Sequence, residues 1–269
     1  MSDSFYLPLT DGTWQATKHT TGPWDARTQH GGPPSALLGR AMQRCQARGD
    51  MMISRFTCEI LRAIPVGEIS VQARVARPGR SVELLEAVAS VDGREVARAS
   101  AWRVLRSPSP AVPPRLAAPP PLPDENQTMP PPGGAWVDGY LSAMEWRAAH
   151  GGLGAPGPAA VWSRMRYPLV PGEEPSPLER VLATADSGNG VSWELDLGRW
   201  LFINPELTVH LHREAAGEWI CLDAQTAIST GGAGLATSVL SDAAGPVGVG
   251  AQSLLVAPRP ADPVTGRPA

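Results

Sequence analysis

Lysine is almost missing from this chain: Lys18 is the only one, and arginines scattered along the length supply the other basic residues. With a net charge of −3, there is no basic footprint for a nucleic-acid partner. Cysteine is scarce as well. Cys45, Cys58 and Cys221 lie far apart with no C-x-x-C spacing, which argues against a disulfide framework or a zinc site. The opening MSDSFYLPLT has no basic or apolar leader region, so no secretory signal is expected. The longest uncharged run, Ala224–Ser241, is full of Gly, Ser and Thr and makes a poor membrane span. These absences describe a soluble, cytoplasmic protein with neither a membrane nor a nucleic-acid partner.

Catalytic signatures are missing too. There is no G-x-S-x-G, no cysteine with an obvious histidine partner, no G-K-[ST] and no intact G-x-G-x-x-G, so a covalent serine or cysteine scheme and a phosphate loop both lack support. His210-x-His212 projects two imidazoles from one strand face, but no third ligand is visible in the sequence. No metal and no cofactor is expected.

Proline is present in an uneven way. Eleven of the 29 prolines fall within residues 107–134. Proline fixes φ and lacks an N–H, so this stretch reads as an extended connector. It divides the chain into 1–106, the linker 107–134, and 135–269. In the first part a helix is expected near 33–47, followed by strands at 51–62, 67–77, 81–91 and 94–105. In the second, strand-like segments at 138–149 and 160–167 precede a helix near 177–185. Strands are then expected at 191–197, 200–212, 217–229, 233–241 and 246–257. In "LTVHLH", Leu207, Val209 and Leu211 face one way while Thr208, His210 and His212 face the other. The final strands of the two parts align without gaps, Ser100 over Gln252, as a weak internal repeat. The pattern predicts an α+β protein in which each half wraps a helix in an antiparallel sheet, a hotdog arrangement. The two sheets are expected to merge side by side and so remove two exposed edges.

Both helix starts are legible. Ser176-Pro177-Leu178-Glu179 is a capping box with proline at the first helical position. Asp186 follows at the C-terminal end, where the helix dipole opposes a negative charge. It is either a loop carboxylate or one whose basicity is raised. In "TQHGGPPSALLGRAM" (28–42) a helix opens on bare backbone, with Gly32 expected as the N-cap. The sequence is either plain punctuation or a site where a ligand oxygen approaches the backbone amides.

The fragments "PWDARTQHGGPPSALLGRAM", "YLSAMEWR", "GPAAVWSRMRYPLV", "SPLERVLATADSGNG", "WLFINPELTVHLHREAAGEWICLDAQT" and "VGVGAQSLLV" resemble, in order and spacing, the double-hotdog acyl-CoA thioesterases (the acyl-CoA thioesterase II, or TesB-like, family). The resemblance spans nearly the whole chain except the linker and the tail. It implies a thioester hydrolase for acyl-CoA or acyl-carrier substrates, assembled as a homo-oligomer and needing no covalent intermediate. It also implies a water-activating trio of Asp186, Asn204 and Gln252. Better-known members carry threonine at the middle place, so Asn204 is a departure, though an amide can still hold a water. Gly31 and Gly32 become candidate donors to the substrate carbonyl, and His30 a residue that orients the turn or touches substrate. Two alternatives stand beside hydrolysis: a non-catalytic acyl-thioester-binding protein, and an enoyl-CoA hydratase or dehydratase. The second would need a histidine shortly after Asp186, where the chain reads SGNGVSWELD.

Overall fold

The structure, a computed structural model, describes residues 3–110, 112, 115–125 and 138–259. Its elements run β1 (Tyr6–Thr10), β2 (Thr13–Ala16), α1 (Gly32–Arg44), β3 (Met51–Ile60), β4 (Glu68–Arg77), β5 (Val82–Val91), β6 (Arg94–Leu105), α2 (Tyr140–Ala143), β7 (Met144–His150), β8 (Ala159–Met165), α3 (Pro177–Ala185), α4 (Gly188–Val191), β9 (Trp200–Ile203), β10 (Glu206–Leu211), β11 (Ile220–Ile228), β12 (Ala233–Asp242) and β13 (Gly245–Pro258). A short 3-10 turn occupies Lys18–Thr20. All strand pairs are antiparallel, and they form one continuous sheet in the order β1-β2-β4-β5-β6-β3-β10-β13-β12-β11-β8-β7, with β9 added alongside β13.

The seam between the two halves is the β3–β10 pair. Thr57 lies opposite Thr208 there, and their hydroxyls meet at 3.2 Å. Alternation holds on both sides of it: Phe56, Cys58, Leu207 and Val209 are buried toward the helices, while His210 faces solvent. α1 and α3 pack against each other on the inner face. They approach closely because α1 presents Gly39, where a Cβ would stand 2.5 Å from Leu182 Cδ1. The N-terminal segment ties the halves again: the N–H groups of Phe5 and Tyr6 donate to the carbonyls of Pro168 and Leu169 at 3.1 and 2.9 Å.

The structure departs from the sequence reading in several places. The β1–β2 hairpin was not expected. The stretch 138–149 starts as the helical turn α2, in which Ser142 Oγ bonds back to Gly139 O at 3.0 Å. Residues 191–197 form no strand, because the chain goes from α3 through Ser187 into α4. The expected strand 200–212 is broken at Asn204-Pro205, where Pro205 has no N–H to give a ladder and its carbonyl instead accepts from Ile60 N–H at 2.7 Å. The N-cap of α1 is Gly31, one residue before the expected Gly32. Much of the linker 107–134 lies outside the described residues. Its part 115–125 is held on the second half, with Trp162 Nε1 donating to Pro120 O and Arg147 Nη1 to Pro123 O, at 3.2 and 3.0 Å.

Candidate active site

The site forms where the N-terminus of α1 meets the C-terminus of α3. α3 is closed at its start by the complete Ser176/Glu179 capping box, and its last residue is followed by Asp186 as C-cap, in helical conformation. A carboxylate there faces the negative end of its own helix. The tip of α1 compensates, because it brings backbone amides and the positive end of a second helix to the same point. Glycine is required for this approach. A Cβ on Gly31 would sit 2.7 Å from Asp186 Oδ2, and one on Gly32 would overlap the carbonyl oxygen of Ala183. The two prolines that follow remove donors that no helical carbonyl could accept from.

Asp186 is buried, with 3% of its surface exposed. Burial pushes its pKa up to about 7; the side-chain amides of Asn204 and Gln252 and the backbone amides of Gly31 and Gly32 hold it back from rising further. Asn204 Nδ2 donates to Asp186 Oδ1 at 2.8 Å and to Glu206 O at 3.2 Å. Gln252 Nε2 donates to Asp186 O at 3.0 Å and to Oδ1 at 3.3 Å, while Gln252 Oε1 accepts from Asn189 N–H at 3.0 Å. Of the three residues named from sequence, Asn204 and Gln252 therefore both bond Asp186 despite their distance along the chain. Their positions follow from local structure. The break at Pro205 turns Asn204 inward, and the alternation of β13 buries Gln252.

His30 completes the group. Its Nδ1 lies 3.2 Å from Asp186 Oδ2 and accepts from Gly32 N–H at 3.0 Å. Burial pushes its pKa down to about 3, so the imidazole is neutral at physiological pH. Its ring stacks on Tyr140 with centroids 3.8 Å apart and planes within 10°. Tyr140 escaped the sequence reading, which placed it in a strand. Its hydroxyl donates to Ala183 O at 2.6 Å and sits 2.9 Å from Ser187 Oγ, which fixes it to the end of α3. Asn189, whose amide reaches Phe202 O at 2.9 Å, was also missed. Gly32 does not line the cavity described next, and its N–H is shared between Asp186 and His30 Nδ1.

A cavity of about 340 Å³ reaches Asp186. Trp24, Ile60, Ile64, Ile203 and Leu255 give it apolar walls, and Gly31, His30, Asn189 and Asn204 give it a polar end. Among its lining residues Asp186 is the only carboxylate. Gln252 stands behind Asp186 and does not line the cavity, so its amide fixes the carboxylate while Asn204 can meet a ligand as well. The arrangement presents a buried base of raised pKa beside an amide, at the end of an apolar passage. Such a site can take a proton from a water aimed at an electrophilic carbon.

The fold is of the hotdog type, with a buried carboxylate at the end of a cavity. The family model for the acyl-CoA thioesterase N-terminal domain matches residues 20–104, and that for the acyl-CoA thioesterase C-terminal domain matches residues 123–256. The chain belongs to the acyl-CoA thioesterase family. Solved structures agree on the fold. A hot-dog-fold protein of Alicyclobacillus acidocaldarius superposes with a TM-score of 0.73 at 14% identity, over 92% of each chain. The tesB protein of Mycobacterium avium subs paratuberculosis gives 0.67 at 16% identity, over 94% of this chain and 96% of that one. The acyl-CoA thioesterase II TesB2 of Mycobacterium marinum gives 0.65 at 16% identity, over 94% of each. No curated protein matches the sequence. No helix among the described residues is long and apolar enough to cross a membrane.

Proposed function

We propose that this chain is a double-hotdog thioesterase that hydrolyses acyl-CoA by direct attack of water, with Asp186 as the general base. The observation that carries the reading is a buried carboxylate, raised to a pKa of about 7, held by two side-chain amides where a cavity reaches it. Its two halves are 1–106 and 135–269, joined by the proline-rich segment.

In this reading Asn204, which gives both N–H groups to protein acceptors, offers its carbonyl oxygen to one hydrogen of the attacking water. Asp186 accepts the other. As the water oxygen bonds to the acyl carbon, its proton passes to Asp186 and negative charge collects on the former carbonyl oxygen. The positive end of α1, which reaches the cavity wall at Gly31, faces that charge. The C–S bond then breaks, and the thiolate recovers the proton from Asp186 to give free acid and thiol. A thiolate is a good leaving group, since an ordinary thiol has a pKa of about 8–9. Gly32 and His30 act on position: the imidazole is locked by Gly32 N–H and Tyr140, and its Nδ1, an acceptor, faces Oδ2 so that it receives a hydrogen bond there only when Asp186 is protonated. Gln252 holds the other side of the carboxylate.

Thiol release across a series of acyl-CoA chain lengths tests the reading. Turnover that Asp186→Asn abolishes supports it. Tight acyl-CoA binding without turnover on any chain length would make the chain a binding protein, and hydration of an enoyl-CoA would make it a lyase. A cytoplasmic setting and a homo-oligomeric state belong to the same reading, and sedimentation tests the second.

A further inference from the structure

The cavity that reaches Asp186 has one cationic side chain on its wall, Arg62. Arg62 stands on the connection after β3, exposed beside the half-exposed Leu61. Among the described residues no carboxylate pairs with it. That sets it apart from Arg27, Arg40 and Arg164. Arg27 is held by Asp25 at 2.7 Å, Arg40 by Glu173 at 2.7 Å and Arg164 by Glu145 at 2.8 Å. A guanidinium with five donors and no protein acceptor is available to a ligand. The exposed apolar side chains Ile203 and Leu255 line the same cavity. The passage therefore runs from a solvent-facing cation, along apolar walls, to a buried base.

Acyl-CoA has the same order of chemistry in reverse: a reactive carbonyl, a thin pantetheine arm, and phosphates at the far end. We propose that Arg62 is the phosphate anchor for the CoA portion of the substrate, entering by this cavity with the thioester foremost. The inference rests on the thioesterase reading for the identity of the ligand, and its test does not depend on turnover. It also distinguishes free CoA from a substrate whose acyl group carries its own carboxylate, the other anion that Arg62 could meet.

Two measurements decide it. In the first, desulfo-CoA and pantetheine are titrated calorimetrically into the wild type, Arg62→Ala and Arg62→Lys. Desulfo-CoA is expected to bind Arg62→Ala about tenfold more weakly than the wild type, as for loss of one charge-assisted contact. Arg62→Lys should lie between, and pantetheine should show no difference. In the second, hexanoyl-CoA is compared with the hexanoyl thioester of N-acetylcysteamine, which keeps the reacting bond and has no phosphate. Arg62→Ala should raise KM about tenfold on the CoA substrate, leave kcat in place, and leave the truncated substrate unaffected. Raising the salt concentration should shrink the difference between wild type and variant. Unchanged desulfo-CoA affinity in Arg62→Ala overturns the proposal, as does an equal loss on both thioesters. A wild-type preference for the adipoyl over the hexanoyl N-acetylcysteamine thioester that disappears in Arg62→Ala would assign the cation to an acyl carboxylate instead. If wild type turns over no thioester of the acyl-CoA chain-length series, the hydrolase reading fails, while the desulfo-CoA titration still decides the role of Arg62.

Discussion

Replacing Asp186 by asparagine should remove activity and stabilise the protein, and the two effects share one cause. The carboxyl has a pKa of about 7 in the fold, against an ordinary 3.8. That gap corresponds to about 4 kcal/mol as an upper limit. A raised pKa means that the folded chain binds this proton more tightly than the unfolded chain does. The contribution is fully present below about pH 4, is lost as pH rises toward 7, and stays lost above. Asparagine has nearly the same shape and no charge. Its oxygen can still accept from Asn204 and Gln252, and its amide can donate to His30 Nδ1, which Asp186 Oδ2 faces at 3.2 Å. Urea unfolding at pH 4.5, 6, 7 and 8.5 checks the reasoning. Wild-type stability should fall across that range relative to the variant, so that Asp186→Asn gains most, up to about 4 kcal/mol, at the alkaline end. In parallel, wild-type kcat should rise with pH through about 7 as the base loses its proton, and the variant should lose about 10²–10⁴-fold. Parallel stability curves for the two proteins would refute the burial argument, whatever happened to activity.

Asn204→Asp places a second carboxylate at the 2.8 Å contact with Asp186; like charges so close push one pKa up, so the acid limb of the kcat profile should move to higher pH by a unit or more. Gly32→Ala would drive a methyl into the backbone oxygen of Ala183, which cannot move without separating α1 from α3; thermal or urea unfolding should show a loss of about 1–3 kcal/mol. Tyr140→Phe keeps the ring against His30 but removes the hydroxyl bonded to Ala183 O and near Ser187. It should cost about 1–3 kcal/mol in stability and reduce kcat more than it changes KM.

The sequence displayed some parts of this site more openly than others. α3 runs over Pro177–Ala185 as its capping box and apolar spacing predict, because a cap is local chemistry. Most long strands also fall within a residue or two of their patterns, since one face of each is buried and alternation must follow. Asp186 was marked by its place at a helix C-terminus, whereas Asn204 and Gln252 were reachable only through a family resemblance, as nothing in the spacing of the three shows that they converge. Tyr140 was hidden because its role comes from tertiary contacts: a stack on His30 and a bond to a helix carbonyl 43 residues away. The break before Glu206 had a local signal in Asn204-Pro205, which the alternation on either side overrode. The role of Gly31 could not be read from "HGGPP" because the partner that demands a bare backbone, Asp186, comes from the other half of the chain.

The opposite junction of the same two helices has a different fate. There the start of α3 meets the last turn of α1, and Ser176 Oγ bonds Gln43 Oε1 at 2.8 Å while Glu173 takes both Arg40 and Arg44, at 2.7 and 2.8 Å. Ion pairing closes that crossing, and its own buried carboxylate, Glu179, is tied into the capping box by Ser176 N–H at 3.2 Å. Joining both halves in one polypeptide has let the two ends specialise, one for chemistry and one for clamping. In the proposed reading the reaction centre therefore lies at the Asp186 crossing, and the Glu173 crossing serves to hold the two halves together.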